Sequence, residues 1–173
     1  MKKVLMIAIP LLLIGGAVAY FYFGRQTSPT FAYYKTVQAA KLGEMDEFYK
    51  GFTKKSAKLV RAVMVLSEAS GFIPNPTRYL VYGEVLDETI KKIKTKDEKV
   101  FELEIPEDAE DDSKEPPKEF ELAIVRVRTG RAKAHYILMV QEDKQWKIDA
   151  WRLERFQKDP RYREFVLGKK AKK

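Results

Sequence analysis

The chain has 173 residues, a formal net charge of +8, one histidine and no cysteine. Its length suits one domain with an appendage, and a hydrophobic content of 45% is enough to fill a core. The missing cysteines exclude disulfides, thiolate metal sites and a cysteine nucleophile, while a single histidine argues against multi-histidine zinc sites and most histidine-based catalytic relays.

Residues 1–25 have the composition of a membrane anchor. An uncharged apolar run from Val4 to Phe23 follows Lys2 and Lys3, and as a helix it is about 30 Å long, the thickness of a bilayer's hydrocarbon core. The positive charge before the run predicts a cytosolic N-terminus in the cytoplasmic (inner) membrane and a domain on the periplasmic, extracytoplasmic side. The alternative is a cleaved signal peptide that releases the domain into the periplasm, because Ala-Val-Ala at residues 17–19 is a typical cleavage pattern.

Three helices are predicted after a polar linker at residues 26–29. The first starts at Thr30, where apolar residues begin to recur at helical spacing, and stops at Gly43. A second helical stretch is interrupted near Gly51. The third begins near Ser56, an N-cap residue type, and ends at Gly71.

The rest of the domain has the shorter period of β-strands. Residues 79–86 fit either a helix or a strand, and residues 89–94 and 99–105 suit a hairpin that turns at 95–98. Strands are predicted at 120–128, 132–141 and 145–153, with connections short enough for an antiparallel meander. Residues 156–173 are predicted to form a basic C-terminal tail that ends in disorder.

Residues 106–117 form a polar loop with six acidic side chains. A cluster of this kind raises the question of calcium binding. The loop lacks the Asp/Asn spacing and the turn glycine of a calcium-binding loop, so we expect a solvated loop and no metal site. The sequence also predicts no cofactor.

Helices followed by antiparallel strands predict an α+β fold, with the N-terminal helices packed on one face of a curved antiparallel sheet. The terminal hairpin has Tyr-Ile-Leu-Met-Val at 136–140 and Gln-Trp-Lys-Ile-Asp at 145–149, and the helical stretch at 37–46 breaks at a Gly-acid step. Because these helices, strands and hairpin motifs follow one another in this order, the chain resembles the nuclear transport factor 2-like superfamily over residues 30–155. The resemblance implies a cone-shaped fold, often with a cavity between helices and sheet, that hosts enzymes, binders and structural domains alike, so the fold does not determine the function.

The candidate catalytic residues are His135 and Asp149. His135 shares a strand face with Met139, and inside a cavity it could act as a general base near neutral pH. Asp149 follows Trp146 in the next strand, and if Trp146 faces the core, the Asp149 carboxylate points to solvent or to a partner. No complete catalytic motif accompanies either residue.

Two further groups are candidates for binding. Large side chains suited to line a cavity are Tyr79, Tyr82, His135, Trp146 and Trp151. Positive charge for contact with anionic lipid or cell-wall polymer gathers at one end of the sheet and in the tail, at Arg126, Arg128, Arg131, Lys133, Lys169, Lys170, Lys172 and Lys173. Nucleic-acid binding is disfavoured, because the domain is exported and has no recognisable nucleic-acid module.

Without a catalytic constellation, the sequence favours a membrane-anchored, exported, non-catalytic binding or assembly module of the bacterial envelope. Such a module would bind an envelope protein or self-associate, and the anchor would hold it near its partners. The resemblance offers a precedent in the membrane-anchored assembly subunit of type IV secretion systems, whose cytosolic N-terminal part is generally longer than this one. The alternatives are a carrier or sensor of a small apolar ligand in the cone cavity and an isomerase- or cyclase-like enzyme.

Overall fold

The computed structural model describes residues 28–71, 83–101, 118–131 and 133–168. The predicted membrane anchor, the acidic loop, Tyr79, Tyr82 and the four lysines of residues 169–173 lie outside these ranges. Among the helices within them, none is long and apolar enough to cross a membrane.

Three helices open the described domain, as the sequence predicts. They are α1 (Pro29–Leu42), α2 (Met45–Lys50) and α3 (Lys54–Ser70). The Ser28 hydroxyl accepts a hydrogen bond from the first turn of α1 at 3.1 Å, and Gly43 ends α1 in the left-handed region at φ 72°. The predicted cap of α3 is wrong by three residues, because Thr53 caps the helix and Ser56 is buried in its first turn.

Four strands form one antiparallel sheet in the order β1-β2-β3-β4. Their bounds are Glu84–Lys94 for β1, Glu119–Arg128 for β2, His135–Glu142 for β3 and Gln145–Ile148 for β4. The predicted meander of the last three strands is confirmed. The turn predicted at 95–98 is instead a short helix, α4 (Thr95–Lys99), and β1 pairs with β2.

The chain beyond β4 folds into two more helices, α5 (Ala150–Lys158) and α6 (Pro160–Leu167). The predictions of a strand up to residue 153 and of a basic tail from residue 156 are therefore wrong over the described residues, and the disorder predicted at the end of the tail lies outside them. Phe156, Tyr162 and Val166 are buried against the sheet. Burial of these apolar side chains stabilises a segment whose high charge suggested a tail.

Helices cover both faces of the sheet. The first core packs α1, α2 and α3 on the face where Val125 and Met139 are buried. The second core packs α5 and α6 on the face where Leu122 and Leu138 are buried. The sequence predicts helices on one face only, and the second layer corrects that prediction. It also explains why residues 122–125 are buried without alternation.

The segment between α2 and α3 covers the outer edge of β4. Phe52 forms a parallel bridge with Ile148. Thr53 N donates to the Ile148 carbonyl at 3.0 Å, and Ile148 N donates to the Gly51 carbonyl at 2.8 Å. The other edge of the sheet is β1.

Gly51 is required in this segment because a side chain would not fit. A Cβ at this position would overlap the Thr36 hydroxyl and lie 2.8 Å from Thr36 Cβ, and Thr36 is buried. We expect Gly51→Ala to lower the free energy of unfolding by about 1–3 kcal/mol, measured by urea unfolding with tryptophan fluorescence. Thr36→Ala removes the overlapping hydroxyl, so Gly51→Ala should cost less in that background. Strictly additive losses in the double variant would contradict the overlap.

Candidate functional site

An open groove lies between α1 and the adjoining ends of β1 and β2. Its volume is about 370 Å³, within the range of protein binding pockets. The residues that line it are Tyr34, Val37 and Lys41 from α1, Gly83 and Glu84 at the start of β1, and Arg128 and Gly130 at the end of β2. Aromatic, aliphatic, acidic and basic groups therefore meet in one concave surface.

Hydrogen bonds fix α1 over the sheet beside the groove. The backbone N–H of Val85 donates to the Tyr34 hydroxyl at 3.0 Å. At the start of α1, Thr30 donates to the Glu88 carboxylate from its backbone N at 3.0 Å and from its hydroxyl at 2.6 Å. The carboxylate also interacts favourably with the positive end of the helix dipole. Both contacts hold the wall of the groove in place.

The close approach of β1 and β2 at the groove depends on Gly83, which the sequence analysis did not single out. A Cβ on Gly83 would lie 2.6 Å from the carbonyl oxygen of Arg128. Only glycine therefore lets the start of β1 approach the end of β2 this closely. Gly83 lies inside residues 79–86, which fit either a helix or a strand, so no local pattern in the sequence identifies its role.

The solvent side of α1 exposes apolar side chains next to the groove. Phe31 is 40% exposed, Tyr34 42% and Leu42 62%. Phe31 and Leu42 lie on one side of the helix, whereas Tyr33 on the other side is buried in the first core. Apolar periodicity alone would place Phe31 and Tyr34 toward the core, so the structure decides which apolar side chains are left accessible.

The basic side chains at this end of the sheet are partly paired. Arg128 Nη2 lies 3.9 Å from Glu84 Oε2, and Arg126 pairs with Asp87 at 2.5 Å. Of the residues predicted to contact anionic surfaces, Arg128 lines the groove. Two more of these residues, Arg131 and Lys133, lie in the turn between β2 and β3 and are exposed.

A second polar constellation is buried beneath α5 and α6. The Arg152 guanidinium donates to Glu98 through Nε at 2.9 Å and Nη2 at 2.7 Å, and to Asp149 through Nη1 at 2.5 Å. The Tyr162 hydroxyl donates to Glu98 Oε1 at 2.6 Å. Glu98 and Asp149 are each 5% exposed, so both carboxylates are desolvated and depend on these donors. We call these four residues the buried polar cluster.

Protonation states in the buried polar cluster follow from burial and charge. Burial raises the pKa of Tyr162, and the adjacent Glu98 carboxylate raises it further, so the hydroxyl stays protonated and donates. Burial alone would lower the pKa of Arg152, but Asp149 and Glu98 reverse that effect and raise it above its ordinary value. The cluster therefore ties α4 to α5 and α6.

The strand pattern predicts that the Asp149 carboxylate points to solvent or to a partner, but in the structure Asp149 is buried. It caps α5, where its Oδ1 accepts hydrogen bonds from the backbone N of Trp151 and of Arg152, each at 3.1 Å. The prediction is wrong because it continues β4 to residue 153, which places Asp149 on the alternating outer face. An Asp directly before a charged, helix-compatible stretch is an N-cap pattern, and this pattern could have identified its role.

The remaining candidates are dispersed. His135 is exposed at the first residue of β3, opposite Val127. Trp146 is buried in the first core, and Trp151 is half-buried, with Lys55 Nζ 5.6 Å from its ring centroid. None of these three lines the groove. Within the described ranges, no group of three or more His, Asp or Glu side chains could hold a metal ion.

Comparisons with protein-family models, with curated proteins and with solved structures find no match to this chain. The similarity to the nuclear transport factor 2-like superfamily therefore stays a prediction. The groove and the charges around it are the features from which a function can be argued.

Proposed function

We propose that this protein is a membrane-anchored, exported, non-catalytic binding or assembly module of the bacterial cell envelope, and that its groove holds a segment of a protein partner. The observation that carries the proposal is the combination of a concave site of about 370 Å³ with exposed apolar side chains beside it. Accessible aromatic side chains next to a pocket are typical of protein interfaces.

The chemistry of the groove favours a partner segment with acidic and apolar side chains. Two basic residues, Lys41 and Arg128, line it together with one acidic residue, Glu84. Arg131 and Lys133 add positive charge in the adjoining turn. Charges at the rim of an interface set the rate of encounter and the choice of partner, while Phe31 and Tyr34 supply apolar area for a bound side chain.

Two observations favour this function over the alternatives. The first core between the helices and the sheet is packed with buried side chains that include Tyr33, Phe48 and Trp146. The open groove is lined by the charged residues Lys41, Glu84 and Arg128, which do not suit a small apolar ligand, and both features argue against a carrier. His135 is exposed and Asp149 is fully engaged, which argues against an isomerase- or cyclase-like enzyme.

We keep the nuclear transport factor 2-like cone and the N-terminal anchor as parts of the proposal. Support for the cone comes from the order of three helices, then a meander that ends in the hairpin of β3 and β4. Helices α5 and α6 add a layer that the resemblance does not imply. Support for the anchor comes from the apolar run at residues 4–23, which would concentrate the domain near other envelope components.

The proposal predicts that charge reversal in the groove weakens capture of a partner. We expect the double variant Lys41→Glu and Arg128→Glu to retain roughly tenfold less of a specific partner than the unmodified chain does, because two favourable rim charges become repulsive to an acidic segment. The measurement is quantitative mass spectrometry of proteins co-purified with the full-length chain from membranes.

A control variant matches the change in net charge. Lys58→Glu with Lys158→Glu alters two exposed residues on α3 and α5 that do not line the groove, and it should retain the partner. A protein lost from the groove variant and kept by the control supports the proposal. Equal recovery with both variants would mean that the groove is not the binding site.

A further inference from the structure

Strand β1 is a long edge of the sheet. It runs for 11 residues, Glu84–Lys94, and within the described part of the chain its strand partner is β2 alone. The opposite edge, β4, is covered by the bridge from Phe52 to Ile148. An edge strand of this length offers unpaired backbone groups to another strand, so the chemistry of β1 decides what can pair with it.

The charges of β1 are separated along its length. Acidic residues occupy the first half and basic residues the second half, in the order Glu84, Asp87, Glu88, Lys91, Lys92, Lys94. On β2 the antiparallel order is complementary: Arg126 lies opposite Asp87 and Glu121 lies opposite Lys92. On the edge of β1 that faces away from β2, an antiparallel β1 strand from a second copy would place basic residues near the acidic half and acidic residues near the basic half. This is the same order of charges that β2 presents on the other edge.

We infer that two copies of this chain pair through their β1 strands in an antiparallel arrangement about a two-fold axis. Such an axis, perpendicular to the sheet, brings like faces of the two copies together. Ile90 then lies opposite Ile90 of the second copy, and Glu88 lies opposite Lys92 on either side of it. Ile90 is 47% exposed, so pairing would bury apolar surface at the centre of the interface.

The free groups on β1 favour this register over its neighbour. Centring the pair on Thr89 would place Asp87 opposite Lys91. Asp87 is already bound to Arg126 at 2.5 Å, and Lys91 Nζ donates to the Val166 carbonyl at 2.6 Å. Both hydrogen bonds from Thr30 end on Glu88 Oε2, which leaves Oε1 for the second copy. Lys92 is exposed and has the reach to meet it.

The position of the N-terminus agrees with this arrangement. Thr30, at the start of α1, donates twice to Glu88, so the chain enters the domain two residues from the proposed axis along β1. A two-fold axis perpendicular to the sheet leaves both α1 helices on the same face. Both chains would then enter their domains at residue 28 from the same face of the paired sheets, as attachment to one membrane requires. This inference does not depend on the groove.

The experiment uses the absence of native cysteine. Residues directly opposite in an antiparallel pair have Cα atoms about 4.5–5.5 Å apart, within the range that a disulfide spans. In oxidised membranes that contain the full-length chain, Ile90→Cys should give roughly tenfold more covalent dimer than Leu42→Cys, which places an exposed thiol on α1 outside the proposed interface. Equal dimer yields from the two variants would overturn the inference.

A charge exchange tests the register independently. In the Ile90→Cys background, K92E places a glutamate opposite Glu88 of the other copy, and the two-fold axis repeats this repulsion on both sides of Ile90. The variant should therefore reduce the dimer yield by roughly three- to tenfold. Adding E88K restores opposite charges and should recover the yield. An unchanged yield in K92E, or more dimer from Thr89→Cys than from Ile90→Cys, would overturn the proposed register. The groove variant K41E with R128E should still form the dimer, so a failure of the proposed function remains distinguishable from a failure of this pairing.

Discussion

Replacing Arg152 with alanine is expected to lower the free energy of unfolding by about 3–5 kcal/mol, because it leaves two desolvated carboxylates without their positive partner. Glu98 loses two hydrogen bonds and Asp149 loses one. The change also removes the contact between the guanidinium and the Phe120 ring, whose centroid lies 4.5 Å away. We expect the domain to unfold at a lower denaturant concentration than the unmodified chain does.

Urea unfolding of the full-length chain measures this effect through the fluorescence of Trp146 and Trp151. The transition midpoint should fall without a large change in its slope, as for a loss of stability alone. The matched control is Lys158→Ala, which breaks an exposed ion pair with Glu154 and should cost less than about 1 kcal/mol. A similar small cost for Arg152→Ala would contradict the view that the buried polar cluster is desolvated.

Alkaline pH should destabilise the fold through two buried tyrosines. Burial raises the pKa of Tyr33 from 10.0 to about 12, and burial with the Glu98 carboxylate raises that of Tyr162. Both hydroxyls therefore stay protonated in the folded chain at pH values where the unfolded chain has lost the protons. Their contribution to stability is complete below pH 10 and is lost as the pH rises toward the folded pKa, by about 2.3 kcal/mol for Tyr33 alone at pH 12.

Urea unfolding at a series of pH values between 8 and 11.5 tests this prediction. The double variant Tyr33→Phe and Tyr162→Phe keeps the aromatic rings but cannot ionise there, so its stability should fall less steeply above pH 10. The starting stability of the double variant will be lower, since Tyr162 loses its hydrogen bond to Glu98. The same slope in both proteins would assign the alkaline loss to lysine deprotonation and contradict the role of the tyrosines.

The helices and the meander could be predicted because their signals are local. Gly43 and Gly71 end α1 and α3 in left-handed conformations, and a change from helical to strand period marks the sheet. The same reasoning failed from residue 149 onward. Alternation continued through Trp151 by coincidence, and the basic residues after it resembled a solvated tail, whereas Phe156, Tyr162 and Val166 are buried.

The candidate site was predicted only in part. Arg128 was identified as a basic residue available for contact, and it lines the groove. Tyr34, Lys41 and Gly83 were not identified, because the groove forms where α1 crosses the ends of two strands that are distant in sequence. The buried polar cluster was missed for the same reason, since 54 residues separate Glu98 from Arg152.

The class of the fold, the ends of the first helices and the order of the last three strands could be predicted from the amino-acid sequence, because these depend on the period of apolar residues and on the caps next to them. The amino-acid sequence also determines the chemistry that the chain lacks, since no cysteine and one histidine are present. The packing of distant segments was needed to learn that both faces of the sheet are covered, that Asp149 is buried and that Phe31 and Tyr34 are exposed. Those outcomes depend on which surfaces distant segments bury together, and no local pattern encodes that choice.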